Sequence, residues 1–464
     1  GTNCLDANTT GVRNTAIGMN TLSANTTANN NTALGQGSMF ANTTGTDNTA
    51  VGKSSLDANT SGNNNTAVGK DALGANTTGT ENTAVGMNAA ATINTGNYNT
   101  AIGRRALYSA SSCSNNVAIG RSCMEDATSQ AEQNVCIGNV AGFALRSDYN
   151  VAVGYEALKT STTGAANTAI GYEALENTNS SNNTACGFRS LINSTGTNNT
   201  GYGYLAGGGI TSGGYNTAIG LQTMYAATTG NNNTACGYQA GKEITSGHSN
   251  TFVGYIAGDS NTSGAGNTAV GLNSGHNITT ATNTVCLGSE AGDSITAQSR
   301  NTCLGAGSDV DSTNRHSAVA LGQGIVTAST NSSFRVRGDN GVFQSGNSST
   351  WSTTSDQRIK KDIVDNEQGL NIINAIRVRN FNYKTADEIA EASPELAELD
   401  LKQIAVNKPE LQIGAIAQEI ETVLPECVMD DDNGIKQVNP DRLIWHTIKA
   451  IQELSKKVSA LESA

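Results

Sequence analysis

The sequence predicts a mainly β protein. It reads as a trimeric parallel β-solenoid, or β-roll, shaft of 17-residue repeats, followed by a small α+β domain ending in a coiled-coil helix. Three observations predict this. The pentad N-T-A-V-G and its variants recur with the glycine every 17 residues from Gly18 to Gly322, nineteen times, with four deviations of one residue. Glycine is 52 of 464 residues and aromatics only 5%, so large side chains cannot build a thick core. The composition changes abruptly near residue 355: Pro394, Pro409, Pro425 and Pro440 all lie beyond it, as do 33 of the 66 charged residues.

A short, sustained period means a solenoid, in which each copy is stable because its neighbours cover it. The copy from Gly69 to Val85 divides into two short extended pieces separated by polar turns. Thr83, Ala84 and Val85 suit a strand. Asn76-Thr77-Thr78-Gly79 suits a turn, with Gly79 free to take positive φ and Asn76 able to bond its own backbone. Three positions after the repeat glycine stands a small residue, as in Ala72, Ala106, Ala157 and Ala240. The fourth position is Leu22, Leu56, Leu73, Leu107 or Met124 in early copies and Gly241, Gly258, Gly275 or Gly292 in later ones. These columns are expected to face a thin interior, and Val85 is placed in a buried column as well. So little apolar surface per coil predicts three chains sharing one core. At about 4.8 Å per coil the shaft would run roughly 90 Å.

The expected layout is a shaft at 1–322, a Ser- and Asn-rich neck at 323–354 with one apolar piece around Phe334 to Val342, and a terminal domain at 355–464. One period before Gly18 lies Gly1, so the chain is expected to start in mid-repeat, as part of a longer polypeptide. From Val438 onward, Ile444, Ile451, Leu454, Val458 and Leu461 keep a 3-4 spacing with Thr447 in one seam position, which predicts a coiled coil of about three heptads.

Several functions are disfavoured. A net charge of −12 gives no footprint for nucleic acid. No run of 18 apolar residues and no signal peptide occurs, so no membrane insertion is expected. Nine cysteines without a C-x-x-C pair argue against zinc, and no cofactor or metal is expected. Cys136, Cys286 and Cys303 in the Ala column, and Cys186 and Cys236 in the Val column, read as small buried hydrophobes, with a Cys113–Cys123 disulfide the lesser alternative. Matches to N-x-[ST], such as Asn8-Thr9-Thr10 and Asn76-Thr77-Thr78, read as turn-forming ladders rather than glycosylation sites. Asp430-Asp431-Asp432-Asn433-Gly434 reads as a hairpin turn, since its spacing is wrong for an EF-hand. Glycosidase chemistry needs two carboxylates across a groove, yet the repeat has no regular acidic column and Trp351 and Trp445 lie outside it.

Two resemblances add to this reading. The pentad, with Asn116-Val117-Ala118-Ile119-Gly120 and Ser317-Ala318-Val319-Ala320-Leu321-Gly322 as variants, resembles the head repeats of trimeric autotransporter adhesins, which implies a left-handed parallel β-roll in a trimer. The string S-D-x-R-x-K-x-x-I at 355–363, with Gly414-Ala415-Ile416-Ala417-Gln418-Glu419 and the final helix, resembles the self-cleaving intramolecular chaperone domain of endosialidase-type phage tailspikes and tail fibres. That resemblance implies Ser355 as nucleophile, Lys360 as base and Thr354-Ser355 as the cut bond, in a single-turnover reaction in cis. A serine hydroxyl needs a nearby base, and a lysine serves only when neutral, which Arg358 and Lys361 would favour. It further implies a fibre on the virion surface, extracellular, attached to other fibre or baseplate proteins and to a host cell-surface receptor, with glycans among the candidates. The alternative is a cellular trimeric surface adhesin.

Overall fold

Each pentad folds as a three-residue strand, from Thr15–Ile17 through Thr83–Val85 to Val319–Leu321, and each pairs in parallel with the next copy. Together with Phe334–Val336 they form one twenty-stranded sheet. The computed structural model describes residues 1–128, 131–310, 316–327, 334–336, 363–367, 369–393, 410–430, 436–438 and 440–463. They divide between two compact units, Gly1–Thr353 and Thr354–Ala464. The one-residue irregularities leave the strands in register, Val117 on Val135 and Val135 on Val151, so the intervening turns absorb them.

Within the strand the middle residue points inward. Ala84 is fully buried between half-buried Thr83 and Val85, and the same pattern recurs along the sheet. This corrects the placement of Val85 inside: in a strand alternate residues share a face, so burying Ala84 turns Thr83 and Val85 outward. Ile102, Ile170 and Leu287 in that column are exposed, and Cys186 and Cys236 are only half-buried, whereas Cys136, Cys286 and Cys303 are buried. Cys113 and Cys123 are both buried free thiols, and burial pushes Cys113 up to about 12.

The repeat glycine takes φ near +137° at Gly69, and a Cβ there would meet the Gly86 carbonyl oxygen at 2.5 Å. Only glycine meets both demands. At Gly79 the reason differs from expectation: φ is not positive, but a Cβ would meet the Gly96 carbonyl oxygen at 2.4 Å.

The expected second extended piece is not a strand in most coils. Residues two and four after the glycine, such as Asp71 and Leu73, take left-handed backbone at φ 56° and 51°. Among the described residues a second strand appears only at Asp309–Val310, which pairs with Val326–Thr327. Left-handed backbone costs a non-glycine residue roughly 1–2 kcal/mol, and burying a leucine contributes about 1.5–3 kcal/mol, so Leu73, fully buried, is tolerated. Where the position is glycine the bulk comes from elsewhere, from Phe252 beside Gly258 and otherwise from three residues later. Leu145, Ile210, Ile244, Ile278 and Ile295 follow Gly142, Gly207, Gly241, Gly275 and Gly292, and all five are buried. A Cβ on Gly275 would meet Ile278 Cδ1 at 2.8 Å.

In early coils that later position is asparagine instead. The Nδ2 groups of Asn25, Asn42, Asn59 and Asn76 donate to the Oδ1 of Asn8, Asn25, Asn42 and Asn59 at 2.8, 3.2, 2.7 and 3.0 Å. Asn76 also donates to the Gly79 carbonyl at 3.1 Å, closing its turn. This buried ladder accounts for the N-x-[ST] matches. It stops at Asn76, whose Oδ1 has no partner because Ile93 follows. A second ladder runs through the pentad asparagines. Asn82 Oδ1 accepts the Asn99 backbone N–H at 3.0 Å, and Asn82 Nδ2 donates to the Gly96 carbonyl at 2.8 Å.

One chain therefore encloses a continuous apolar core of fully buried Ala, Leu, Ile, Met and Cys side chains. This overturns the argument that a coil too thin to stand alone must share a core: side-chain amides satisfy its buried backbone, and the interior is narrow enough for alanine to fill.

Candidate functional site

Thr354, Ser355, Arg358, Lys360 and Lys361 lie outside the described residues, as does the loop at 431–435. The elements that follow them in the terminal unit are the helix Leu370–Ala375, the strand Arg379–Phe381, the helix Ala386–Ala392, the strand Gln412–Gly414, the helix Ala417–Glu421 and the 3₁₀ turn Pro425–Cys427. Among the described residues the hairpin Val428–Asp430 with Lys436–Val438 and the helix Pro440–Glu462 come last. Thr385 caps its helix in a capping box with Glu388, whose carboxyl is lowered by the Thr385 hydrogen bonds.

The Gly414–Glu419 block spans a strand end and a helix start, and its glutamate is held. Glu419 accepts two bonds from Arg379, Nε at 3.2 Å and Nη2 at 2.5 Å, while Arg377 stands 3.8 Å away. Arg379 holds the Glu419 carboxyl below the usual range. Arg379–Phe381 pairs antiparallel with Gln412–Gly414, so this fork ties the block to a strand far away in sequence. Ile420, Leu424 and Cys427 are buried, with Ile372, Ile376, Val438 and Leu443 packed around them. The Leu370 N–H donates to Glu453 of the terminal helix at 2.9 Å. That helix, however, exposes the predicted seam: Ile444, Ile451, Leu454, Val458 and Leu461 are all open to solvent.

The shaft carries surface features that reading the two tryptophans missed. Tyr155, Tyr172, Phe188 and Tyr204, one coil apart, stack at 5.1, 5.2 and 5.0 Å, and Tyr238 stacks on Tyr255 at 4.9 Å. The signal was an aromatic after the repeat glycine in consecutive copies. Beside the stack, Glu156, Glu173 and Glu176 offer carboxylate oxygens within 4.8 Å of one another. Two cations answer them: Lys159 at 2.9 Å from Glu156 and 3.8 Å from Glu176, and Arg189 at 2.6 Å from Glu173. Burial pushes the Glu156 carboxyl up, but hydrogen bonds from Lys159 and Tyr155 outweigh it and hold it low. Burial, helped by the Glu173 charge, raises Glu176. This is an ion-pair network, and it does not have the geometry of a glycosidase pair across a groove. No helix among the described residues is long and apolar enough to cross a membrane.

Residues 355–429 match the family model for the chaperone of endosialidase, Peptidase_S74, which implies a self-cleaving chaperone activity for this segment. No curated protein and no solved structure matches the chain.

Proposed function

We propose that the chain is a trimeric attachment fibre of phage type, whose terminal domain aligns three chains and then cuts itself free at Thr354-Ser355. The observation that carries this reading is the chaperone match, which begins at Ser355 and follows a β-solenoid shaft. Ser355 Oγ attacks the Thr354 carbonyl carbon as Lys360 Nζ takes its proton; the C–N bond breaks and the freed Ser355 amine takes the proton back. Water then hydrolyses the ester, restoring the hydroxyl. Lys360 must be neutral to begin, and the neighbouring charges of Arg358 and Lys361 favour that.

Trimerisation rests on two apolar surfaces rather than on thin coils. One is the open seam of the terminal helix, where Leu461 is 78% exposed. The other is a stripe on either side of the repeat glycine, with Ile17, Met19, Ile102, Tyr172 and Leu287 exposed along the shaft. Contiguous apolar surface of this kind marks an association face. A shaft with many near-equivalent registers also needs one aligned end from which three chains can start.

The test is a time course of denatured samples on a gel, with native mass measured alongside. Ser355→Ala and Lys360→Ala should each abolish release of the fragment 355–464 while trimers form, and Lys361→Ala should still cleave. Undiminished fragment from Ser355→Ala rules out the dyad. No fragment from the parent leaves a chaperone without a protease, and a stable monomer removes the fibre reading altogether.

A further inference from the structure

Five residues after the repeat glycine most coils carry a side chain, among them Phe40, Tyr108, Glu125, Phe143, Glu176 and Ile192. The copy that starts at Gly203 instead carries Gly207-Gly208-Gly209, which empties this column and the next at one level. The result is a groove of about 550 Å³ spanning neighbouring coils, with Gly208 and Gly209 in its floor and Asn177, Asn193, Arg189 and Tyr225 among its walls. Gly209 is obligatory there, because a Cβ would meet the Tyr225 carbonyl oxygen at 2.0 Å. Gly208 is not: its φ is not positive, and a Cβ would lie 3.3 Å from its nearest neighbour, the Leu205 carbonyl oxygen.

The missing side chain leaves a gap two coil steps deep between Ile192 and Tyr225. Rings elsewhere on this shaft repeat at 4.9–5.2 Å, so the gap accepts one ring at that spacing. Tyr225 is 41% exposed and offers apolar surface on one side. The rim is polar with donors and acceptors mixed. Asn177 Nδ2 donates to Asn193 Oδ1 at 3.2 Å, which leaves the Asn177 carbonyl oxygen and the Asn193 amide N–H groups open to a ligand. Arg189 commits Nε to Glu173, and both Arg189 and Glu176 line the groove. An apolar wall with alternating donors and acceptors suits a ring bearing neighbouring hydroxyls. Glu173 already holds Arg189 and Glu176 adds a carboxylate to the lining, so an anionic ring is disfavoured.

We propose that the Gly208–Gly209 groove is a saccharide subsite for one neutral pyranose ring with vicinal hydroxyls, seated between Ile192 and Tyr225. This rests on reading the shaft as the surface that meets the host. The test is saturation-transfer NMR on the full chain with methyl β-galactoside, methyl α-mannoside and sialyllactose as probes. At least one neutral glycoside should receive saturation, and Gly208→Phe, which restores the side chain that Phe40 and Phe143 carry, should weaken binding about tenfold or more. Asn193→Ala, at an exposed side chain that the fold does not need, should weaken it as well and keeps the test open if Gly208→Phe misfolds. Unchanged transfer in both variants, transfer from sialyllactose alone, or none from either neutral glycoside overturns the proposal. Trimer mass and fragment release are unaffected by the groove, so those measurements separate failure of the subsite from failure of the fibre reading.

Discussion

The shaft and the terminal unit solve the same problem in opposite ways. In the shaft each coil repeats a closed solution: glycine where two coils touch, alanine inside the strand, an asparagine amide standing in for backbone between coils. In the terminal unit, among the described residues, only Ile420, Leu424, Cys427 and Ala450 are buried apolar side chains, while the final helix leaves its seam in solvent. The thin coil thus encloses its own interior, whereas the described part of the region with conventional helices and strands leaves a row of apolar side chains open to solvent.

The largest effect should come from the strand interior. Ala84→Asp puts an unpaired charge in a fully buried column and should cost several kcal/mol, seen as local unfolding by limited proteolysis and a lower melting temperature. Val85→Asp, one residue on, should leave the coil folded and instead weaken association, read by sedimentation. Equal damage from the two would mean that inside and outside are not distinguished as described, and the shaft would lose its claim to stand alone.

A smaller effect should follow from cutting one rung of the amide ladder. Asn82→Ala leaves the buried Asn99 N–H and the Gly96 carbonyl without their partners and should destabilise the shaft by about 1–3 kcal/mol. Hydrogen exchange at Asn99 should rise while distant coils stay protected; exchange rising everywhere would show that coils do not unfold locally.

The smallest effect, and the one that contrasts the two units most directly, is pH. Glu419 is lowered by Arg379 and Glu388 by Thr385, so their stabilising contribution is present above the ordinary carboxylate value of about 4.3 and lost as pH falls through their folded values. In the shaft, burial raises Asp57, Asp259 and Asp309. A raised carboxyl binds its proton more tightly when folded, so that contribution is complete below about 3.9 and is lost as pH rises through the folded value. Acid should therefore loosen the terminal unit more than the shaft, where Glu156 is held low but Asp57, Asp259 and Asp309 are raised. Glu419 is half-buried and its pair with Arg379 is screened by solvent, so Glu419→Gln should shift the terminal transition only slightly and remove part of its acid sensitivity. A shaft that melts first in acid, by circular dichroism at β and helical wavelengths, would reverse the contrast.

Much of the fold was legible in the sequence because the information is periodic. A 17-residue spacing of glycine fixes where coils touch, and the small residues at Ala72 and Ala106 mark the interior without any knowledge of the path between them. The proposal of Ser355 and Lys360 rests on resemblance alone, since a serine and a lysine five apart carry no signal of their own. What only the tertiary structure decided is contact between copies and the direction of side chains within one. Glu173 meets Arg189, Asn177 meets Asn193 and Tyr155 meets Tyr172 because the coil brings residues 16 or 17 apart side by side. The left-handed backbone at Asp71 and Leu73 then sets which columns turn inward, and composition does not encode that: Val85 and Ala84 are both apolar, yet alternation along the strand buries one and leaves the other half-buried at the surface.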